Sequence, residues 1–185
     1  MAAGVTEAAV PHLRSLVTRL RLANREFRQA DHKVDDLCAA LTQTETTGTT
    51  APSDAAILAS LPGVGKTNLA TLLTEASGPL SGRDYNALRT LSGVEPVTRR
   101  SGKTCVVVMR YAAHARLRQA VFHWARVAVQ NDPKSQSRYE ALRARGHSYG
   151  RALRGVADRM LGIACVLLER RELFNPQHAT TTTTA

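Results

Sequence analysis

The sequence predicts a mainly α-helical protein in which a long coiled-coil helix precedes a compact helical domain. Three observations support this fold class: a heptad repeat near the N-terminus, a helix-hairpin-helix pattern around residues 58–73, and helix-period apolar residues up to Leu168. Aromatic residues make up only 4% of the chain, so the predicted core is aliphatic. The predicted boundaries are a coiled-coil helix at 1–43, a linker at 44–53, a helical domain at 54–174 and a disordered tail at 175–185.

The N-terminal helix carries apolar residues at strictly alternating spacings of four and three. A helix packed only on its own domain would drift by about 20° per heptad from such a seam. The repeat therefore favours pairing with another helix, in the same chain or in a partner. An ordinary long surface helix is the alternative. The seam comprises Leu16, Leu20, Ala23, Phe27, Ala30, Val34, Leu37 and Leu41.

Residues 42–53 are rich in threonine with one glycine and one proline, which predicts a linker or the tip of a helical hairpin. Ser53 is a suitable N-cap for a helix over 54–60. At the other end of the chain, the low-complexity run Thr180–Thr184 predicts a disordered tail.

Residues 58–73 resemble a nucleotide-binding P-loop only superficially, since Ser60 stands where the first glycine of that motif is required. The better interpretation is a helix-hairpin-helix, with Pro62 ending the first helix. Gly63 and Gly65 would allow close backbone approach, and the second helix would offer its N-terminal amides to a phosphate. Lys66 and Thr67 would join that contact. A plain helical turn closing a core is the alternative.

The second half predicts three further long helices and a basic loop. The helices are expected at 110–130, 135–145 and 148–172, after a short one at 84–91. Ser77-Gly78-Pro79 is expected to end the helix that follows the Pro-Gly turn. Residues 98–104 are predicted to be a flexible loop, and the β-branched run 105–109 is at most a short strand.

The positive charge is concentrated in this second half. The net charge of the chain is +10, and residues 97–171 alone hold sixteen Lys or Arg against four acids. Arginine predominates, which favours bidentate binding of phosphate. The distribution predicts a nucleic-acid partner, with an arginine-rich codon bias as the alternative.

Several other classes of protein are disfavoured. Three widely separated cysteines, in no metal-ligand spacing, indicate reduced thiols and no zinc site. No apolar run is long enough for a membrane span, and the N-terminus lacks the features of a secretion signal. We therefore expect a cytoplasmic protein that associates with the nucleoid when bound to DNA, and no membrane partner.

Ser101 is the candidate catalytic residue. It lies in the predicted basic loop beside Gly102, with Arg99, Arg100 and Lys103 available to hold a phosphoryl group and stabilise its transition state. An ordinary loop serine is the alternative. No Ser-His-Asp arrangement can be argued, because nothing marks a histidine as a base.

Five short motifs in this order resemble the C-terminal domain of bacterial DEDD-type insertion-sequence transposases, the IS110 and IS116 group. The resemblance covers about residues 56–174 and includes the last long helix. The motifs are Leu61-Pro-Gly-Val-Gly65, Leu91-Ser-Gly-Val-Glu-Pro96, Thr98-Arg-Arg-Ser-Gly-Lys103, Leu117-Arg118 and Arg143-Ala-Arg-Gly146.

The resemblance implies a recombinase that uses DNA and a guide RNA and assembles through its coiled coil with itself or with full-length transposase. It implies Ser101 as the nucleophile and a nucleic-acid-binding role for basic and glycine residues. No cofactor or metal site is expected in this chain, since Mg²⁺ belongs to the family's RuvC-like nuclease domain. The implied binding residues are Gly63, Gly65, Lys66, Thr67, Arg99, Arg100, Lys103, Arg116 and Arg118.

Two departures from the family pattern affect these expectations. The RuvC-like domain has no counterpart, so the chain is expected to be a truncated transposase. Ala113-His114 stands where the family commonly has Gly-Asn before the Leu-Arg pair, which puts in question the turn or polar contact made there. A non-catalytic nucleic-acid-binding or oligomerising remnant is the alternative function.

Overall fold

The computed structural model describes residues 3–43 and 51–177, with side chains from residue 9 onward. The first seven residues of the predicted linker and the Thr180–Thr184 tail lie outside this part of the chain. The described residues are mainly α-helical, which confirms the predicted fold class. The elements are α1 (Ala3–Gln43), α2 (Asp54–Ala59), α3 (Lys66–Glu75), α4 (Ser77–Ser81), α5 (Tyr85–Ser92), β1 (Val97–Ser101), β2 (Thr104–Val108), α6 (Ala115–Asn131), α7 (Pro133–Ala144) and α8 (Tyr149–Arg170).

The chain divides into two compact units, Met1–Leu37 and Cys38–Ala185. The first unit is most of helix α1, which lies where the heptad repeat predicts a helix. Its seam is open to solvent: Leu20 is 70% exposed and Phe27 69%. Burying a large apolar side chain stabilises by about 1.5–3 kcal/mol, so an exposed seam of this length favours association. The coiled coil itself stays a prediction.

The core of the second unit is formed by α6 and α8, which pack against each other and against the shorter helices. Trp124, Leu117 and Val121 of α6 are fully buried, as are Leu153 and Leu161 of α8. These positions recur at helical spacing, so one face of each helix is buried. Because the core is aliphatic apart from Trp124, its stability depends on close packing of Leu, Val and Ala.

Side-chain caps fix most helix starts. Ser53 Oγ accepts from the Ala56 amide at 3.1 Å, which confirms the predicted cap of α2. Asp84 caps α5 in the same way at 2.9 Å, and Asp132 caps α7. The predicted start of α6 was wrong, because this helix begins at Ala115 and not at residue 110. The helix before Ser77-Gly78-Pro79 ends as predicted, at Glu75, but the same three residues begin the short helix α4, because proline is tolerated in a first turn.

The predicted flexible loop at 98–104 is instead most of strand β1, the turn and the first residue of strand β2 in a β-hairpin. Strands β1 and β2 pair antiparallel, with Val97 opposite Val108 and Ser101 opposite Thr104. The loop prediction was wrong because a run of Arg, Ser, Gly and Lys lacks apolar alternation. Both faces of this hairpin are exposed, so no alternation is needed. We call β1, β2 and their turn the serine arm.

Within the ranges that the structure describes, none of the helices has the length and apolar character needed to cross a bilayer.

Candidate nucleic-acid interface and serine arm

The base of the serine arm is anchored to α5. Gly93 caps the C-terminus of helix α5 with a left-handed φ of +72°, and the amides of Val94 and Glu95 then both donate to the Arg89 carbonyl. Glu95 Oε2 accepts from Thr90 Oγ1 at 2.8 Å and from Arg110 Nη2 at 3.2 Å. Glu95 precedes β1 and Arg110 follows β2, so this ion pair joins the two ends of the arm.

The hydrogen bond from Thr90 holds the pKa of Glu95 below its ordinary value, and the nearby charge of Arg110 lowers that pKa further. Glu95 is therefore ionised at neutral pH. Among the residues that the structure describes, the buried Nε of Arg110 has no hydrogen-bond partner. The carboxylate at the base of the arm is thus placed to hold the Arg110 guanidinium through Nη2.

Ala113 and His114 connect the arm to α6. The His114 amide donates to the Leu91 carbonyl at 2.8 Å, and His114 Nδ1 accepts from the Leu117 amide at 3.4 Å as the N-cap of α6. A Cβ at Gly93 would lie 2.8 Å from Ala113 Cβ, so this position requires glycine. The Ala113-His114 pair therefore supplies both a turn contact and a cap.

His114 is not available as a general base for Ser101. Its Nδ1 caps the helix, and its Nε2 lies 3.4 Å from Glu75 Oε2. The same carboxylate is 3.5 Å from Arg116 Nη1. Both imidazole nitrogens are engaged, so His114 has a structural role.

The register of the arm divides its basic residues between two faces. Directly opposed residues of an antiparallel pair share a face, and neighbours along a strand point to opposite faces. Arg99, opposite Val106, therefore lies on the same face as Ser101, opposite Thr104. Arg100, opposite Cys105, lies on the other face. Only one of the two adjacent arginines shares the face of the serine.

The tip of the arm is open. Gly102 has a φ of +55° and Lys103 completes the two-residue turn, as in a type II′ hairpin. Residues 101–103 are all exposed, and a Cβ at Gly102 would meet nothing within 4 Å. Among the described residues, Ser101 Oγ has no hydrogen-bond partner.

The Pro62–Gly65 turn has a different environment. Trp124 Nε1 donates to the Pro62 carbonyl at 2.9 Å. Gly63 has a φ of +81°, and a Cβ there would lie 2.8 Å from the Ala128 amide nitrogen of α6. The close approach predicted for Gly63 is therefore made within the protein core. This contact fits the plain-turn alternative for Gly63.

The beginning of α3 remains accessible. Gly65, Lys66 and Thr67 are exposed, and the N-cap Gly65 provides no side-chain hydrogen bond to the first amides. Arg116 at the start of α6 has 81% of its side chain exposed. Arg118 is half-buried, with its Cδ 3.5 Å from the Cβ position of Gly93. The predicted binding residues therefore lie at the α2–α3 turn, on the arm and beside the base of the arm.

A second polar cluster joins α5 to α8. Arg89 Nε lies 2.6 Å from Asp158 Oδ1, and Tyr85 donates to the same oxygen at 2.9 Å. The Arg89 guanidinium stacks over the Tyr85 ring at 5.2 Å. Burial, together with the bond to Asp158, raises the pKa of Tyr85 to about 12. Sequence reasoning missed this cluster and the Glu95–Arg110 pair, because in both cases the partners are far apart along the chain.

The described residues do not fit a Mg²⁺ site. No group of three or more potential ligands is brought together in the part of the chain that the structure describes. Asp158 is engaged by Arg89 and Tyr85, and Asp132 caps α7.

The segment that runs from the arm through helix α6 is basic. Residues 96–131 contain seven Lys or Arg and no Asp or Glu. A mainly helical domain with an exposed, acid-free basic arm has the features of a domain that contacts nucleic-acid backbone.

Comparison with known proteins places this domain in a family. Residues 55–140 match the transposase IS116/IS110/IS902 family. The chain therefore contains a transposase domain of this family, as the order of its motifs predicts.

Three curated relatives agree with this assignment. The chain is 34% identical over 128 residues to the mini-circle candidate transposase for IS117 of Streptomyces coelicolor, covering 69% of this chain and 31% of the relative. It is 29% identical over 133 residues to an uncharacterized 42 kDa protein of insertion element IS900 of Mycobacterium paratuberculosis, covering 71% of this chain and 33% of that protein. It is also 29% identical over 118 residues to an uncharacterized 43.6 kDa protein of IS110 of Streptomyces coelicolor, covering 60% of this chain and 28% of the relative. The match spans about a third of the length of these relatives.

Proposed function

We propose that this chain acts in DNA transposition, with its basic domain binding DNA backbone and the serine arm delivering Ser101 to a phosphodiester. The observation that supports this most directly is the geometry of the arm tip. Ser101 is exposed, shares its face with Arg99, and is followed by the Gly102-Lys103 turn. Two cations therefore flank a hydroxyl that another molecule can reach.

The proposed reaction is a transesterification. Ser101 Oγ attacks phosphorus, an Oγ–P bond forms as one P–O ester bond of DNA breaks, and the departing DNA oxygen takes up a proton as the hydroxyl loses one. Charge on the phosphoryl oxygens in the transition state is stabilised by Arg99 and Lys103. The Ser101–phosphate ester retains the free energy of the DNA ester bond that was broken. A DNA hydroxyl can therefore attack this ester and join the strand to a new partner.

Backbone binding is proposed to extend beyond the arm. Arg116 and Arg118 lie next to the base of the arm, and Lys66 and Thr67 lie at the open start of α3. Each phosphate that is neutralised steepens the fall of log affinity with log salt by about 0.9. A steep salt dependence is therefore expected, and a shallow one would contradict the proposal that several phosphates are bound.

The remaining proposals concern partners. The exposed seam of α1 favours association with another copy or with full-length transposase. A guide RNA would use the same basic surface, and binding to DNA would bring the protein to the nucleoid. Any Mg²⁺ ligands would come from a separate nuclease domain.

The decisive experiment looks for a covalent protein–DNA adduct. The chain is mixed with the nuclease domain of a relative, its guide RNA and DNA ends, and adducts are resolved under denaturing conditions. We expect an adduct with the native chain and with Ser137→Ala, an exposed serine of α7, but none with Ser101→Ala. Absence of an adduct with the native chain would refute the catalytic assignment.

A non-catalytic role in binding nucleic acid or in oligomerising is the second candidate function. It is favoured by the environment of Ser101, which among the described residues has cations beside it but no hydrogen-bonded base. In that case Ser101→Ala would bind DNA as the native chain does, and neither would form an adduct. Inhibition of a full-length relative by both proteins would then identify the interfering role.

A further inference from the structure

A shallow notch lies between the α2–α3 turn, the start of α7, the middle of α8 and the segment after α8. Its enclosed volume is only about 20 Å³, so the notch is a surface depression largely open to solvent. Its apolar surface includes Pro62, Met160, Ile163 and the ring of Phe174. It is built from different elements than the serine arm.

The walls of the notch are held by hydrogen bonds. The Phe174 amide donates to Ser60 Oγ at 2.9 Å, which fixes the segment after α8 against the end of α2. Lys134 Nζ donates to the Pro176 carbonyl, which holds the same segment against α7. On the other side, Trp124 fixes the Pro62 carbonyl. The backbone that carries Phe174 is therefore held at the notch.

The rim of the notch is cationic. Arg138 and Arg159 line it, and neither has an ion-pair partner among the residues described. The one carboxylate in the lining belongs to Asp132, whose Oδ2 already accepts from the amide and the hydroxyl of Ser135 at 2.9 and 2.6 Å. Two arginines without carboxylate partners thus stand beside an apolar surface that includes an aromatic ring.

We propose that this notch binds an unpaired nucleotide of single-stranded DNA, with the base against Phe174 and its phosphates on Arg138 and Arg159. A bare anion would not need the apolar floor, and a paired base inside a duplex could not present its face to the ring. Stacking on an aromatic side chain combined with arginine contacts to backbone is a common means of binding single strands. The inference rests on the proposal that DNA is the partner.

The test compares a thymidine oligonucleotide with an abasic oligonucleotide of the same length and charge, using fluorescence anisotropy with the full chain. Stacking of one base is worth about 1–3 kcal/mol, so the native chain should bind the thymidine strand on the order of tenfold more tightly. Phe174→Leu should abolish this preference and leave the salt dependence unchanged. Phe174→Tyr, which keeps the ring, should retain the preference.

The arginines are tested by their charge. Arg138→Ala/Arg159→Ala should weaken binding of both strands and reduce the slope of log affinity against log salt by about 1.4, the value for two phosphates of a single strand. The control Arg126→Ala/Arg170→Ala removes the same charge from outside the notch and should retain the thymidine preference. Circular dichroism verifies that each variant is folded.

Three results would overturn the inference: equal affinity of the native chain for both strands, a preference that survives in folded Phe174→Leu, or a preference seen with uridine RNA but not with DNA. Ser101→Ala should keep the preference for thymidine. The notch and the adduct chemistry of the arm can therefore fail independently.

Discussion

Two glycine turns of this domain have the same backbone feature and opposite environments. Gly63 and Gly102 both have a positive φ. A side chain at Gly63 would meet the backbone of α6 at 2.8 Å, whereas one at Gly102 would meet nothing within 4 Å. The first turn is a packing element of the core, and the second is the open tip of an arm.

The comparison shows that a glycine-containing basic motif can have two structural roles, packing in the core or forming an exposed turn. Lys66 follows the first turn and Lys103 is part of the second, and both motifs were predicted from sequence to approach phosphate. Only the tip of the arm is free on all sides. At the α2–α3 turn, phosphate could reach the exposed start of α3, while Gly63 itself faces the core.

The largest expected effect comes from Gly63→Ala. The new Cβ would clash with the Ala128 backbone nitrogen and would occupy a left-handed conformation. We expect a loss of roughly 3 kcal/mol in the free energy of unfolding, measured by urea denaturation. Gly102→Ala should cost only about 1 kcal/mol, since it has the conformational penalty without the clash. Equal losses would contradict the distinction between the two turns.

The next effect distinguishes the two faces of the arm. Because Arg99 shares the face of Ser101, Arg99→Ala should raise the activation free energy of adduct formation by about 2 kcal/mol. The rate should fall roughly thirtyfold. Arg100→Ala keeps that face intact and should change the rate much less, although both variants lose one charge. Identical rates of adduct formation in the two variants would show that the face of the arm on which an arginine lies does not affect the reaction at Ser101.

A smaller effect is expected at the base of the arm. Glu95→Gln removes the charge that holds Arg110, so amide hydrogen exchange in β1 and β2 should become faster on the order of fivefold. Glu140→Gln, on the exposed face of α7, should leave the arm unchanged.

The pH dependence follows from the lowered pKa of Glu95. The stabilisation from its carboxylate is present above the ordinary glutamate pKa of 4.5 and is lost as the pH falls through the lower folded value. Native protein should therefore loosen its arm in acid, and Glu95→Gln should not respond further. If neither acid nor Glu95→Gln changes amide hydrogen exchange in β1 and β2, the Glu95–Arg110 pair does not anchor the arm.

The smallest effect concerns the rigid cluster beneath the arm. The pKa of Tyr85 is raised to about 12, so the stability it contributes is present below pH 10 and declines between pH 10 and 12. Asp158→Asn should lower that pKa only part of the way, because burial is the larger cause. Ultraviolet titration of tyrosinate, with Tyr85→Phe as the subtraction control, measures the shift.

Much of the helical part could be predicted from local signals. The heptad seam predicts α1, Ser53 is the observed cap of α2, and Asn131-Asp132-Pro133 ends α6 and begins α7. These features act within a few residues of chain, so sequence alone contains them. The same holds for the family motifs that identify Ser101 as the candidate nucleophile.

The serine arm could not be recognised as easily. A strand buried on one face shows alternating apolar residues, but β1 and β2 are exposed on both faces, so Val106 and Val107 are adjacent without a core to match. The available signal was the Gly102-Lys103 pair between Ser and Thr, which suits a two-residue hairpin turn. The contacts of Glu95 and Asp158 depend on tertiary structure and left no such signal.

The length of the arm has a mechanical consequence. The four steps from Val97 to Ser101 in β1, at about 3.3 Å each, place Ser101 roughly 13 Å from the base of the hairpin, close to the width of a DNA major groove, about 12 Å. A tilt of about 10° at the base would then displace the hydroxyl by roughly 2 Å, enough to break a hydrogen bond of about 3 Å. The Glu95–Arg110 pair therefore influences the position of the Ser101 hydroxyl by fixing the orientation of the hairpin, although neither residue contacts the serine.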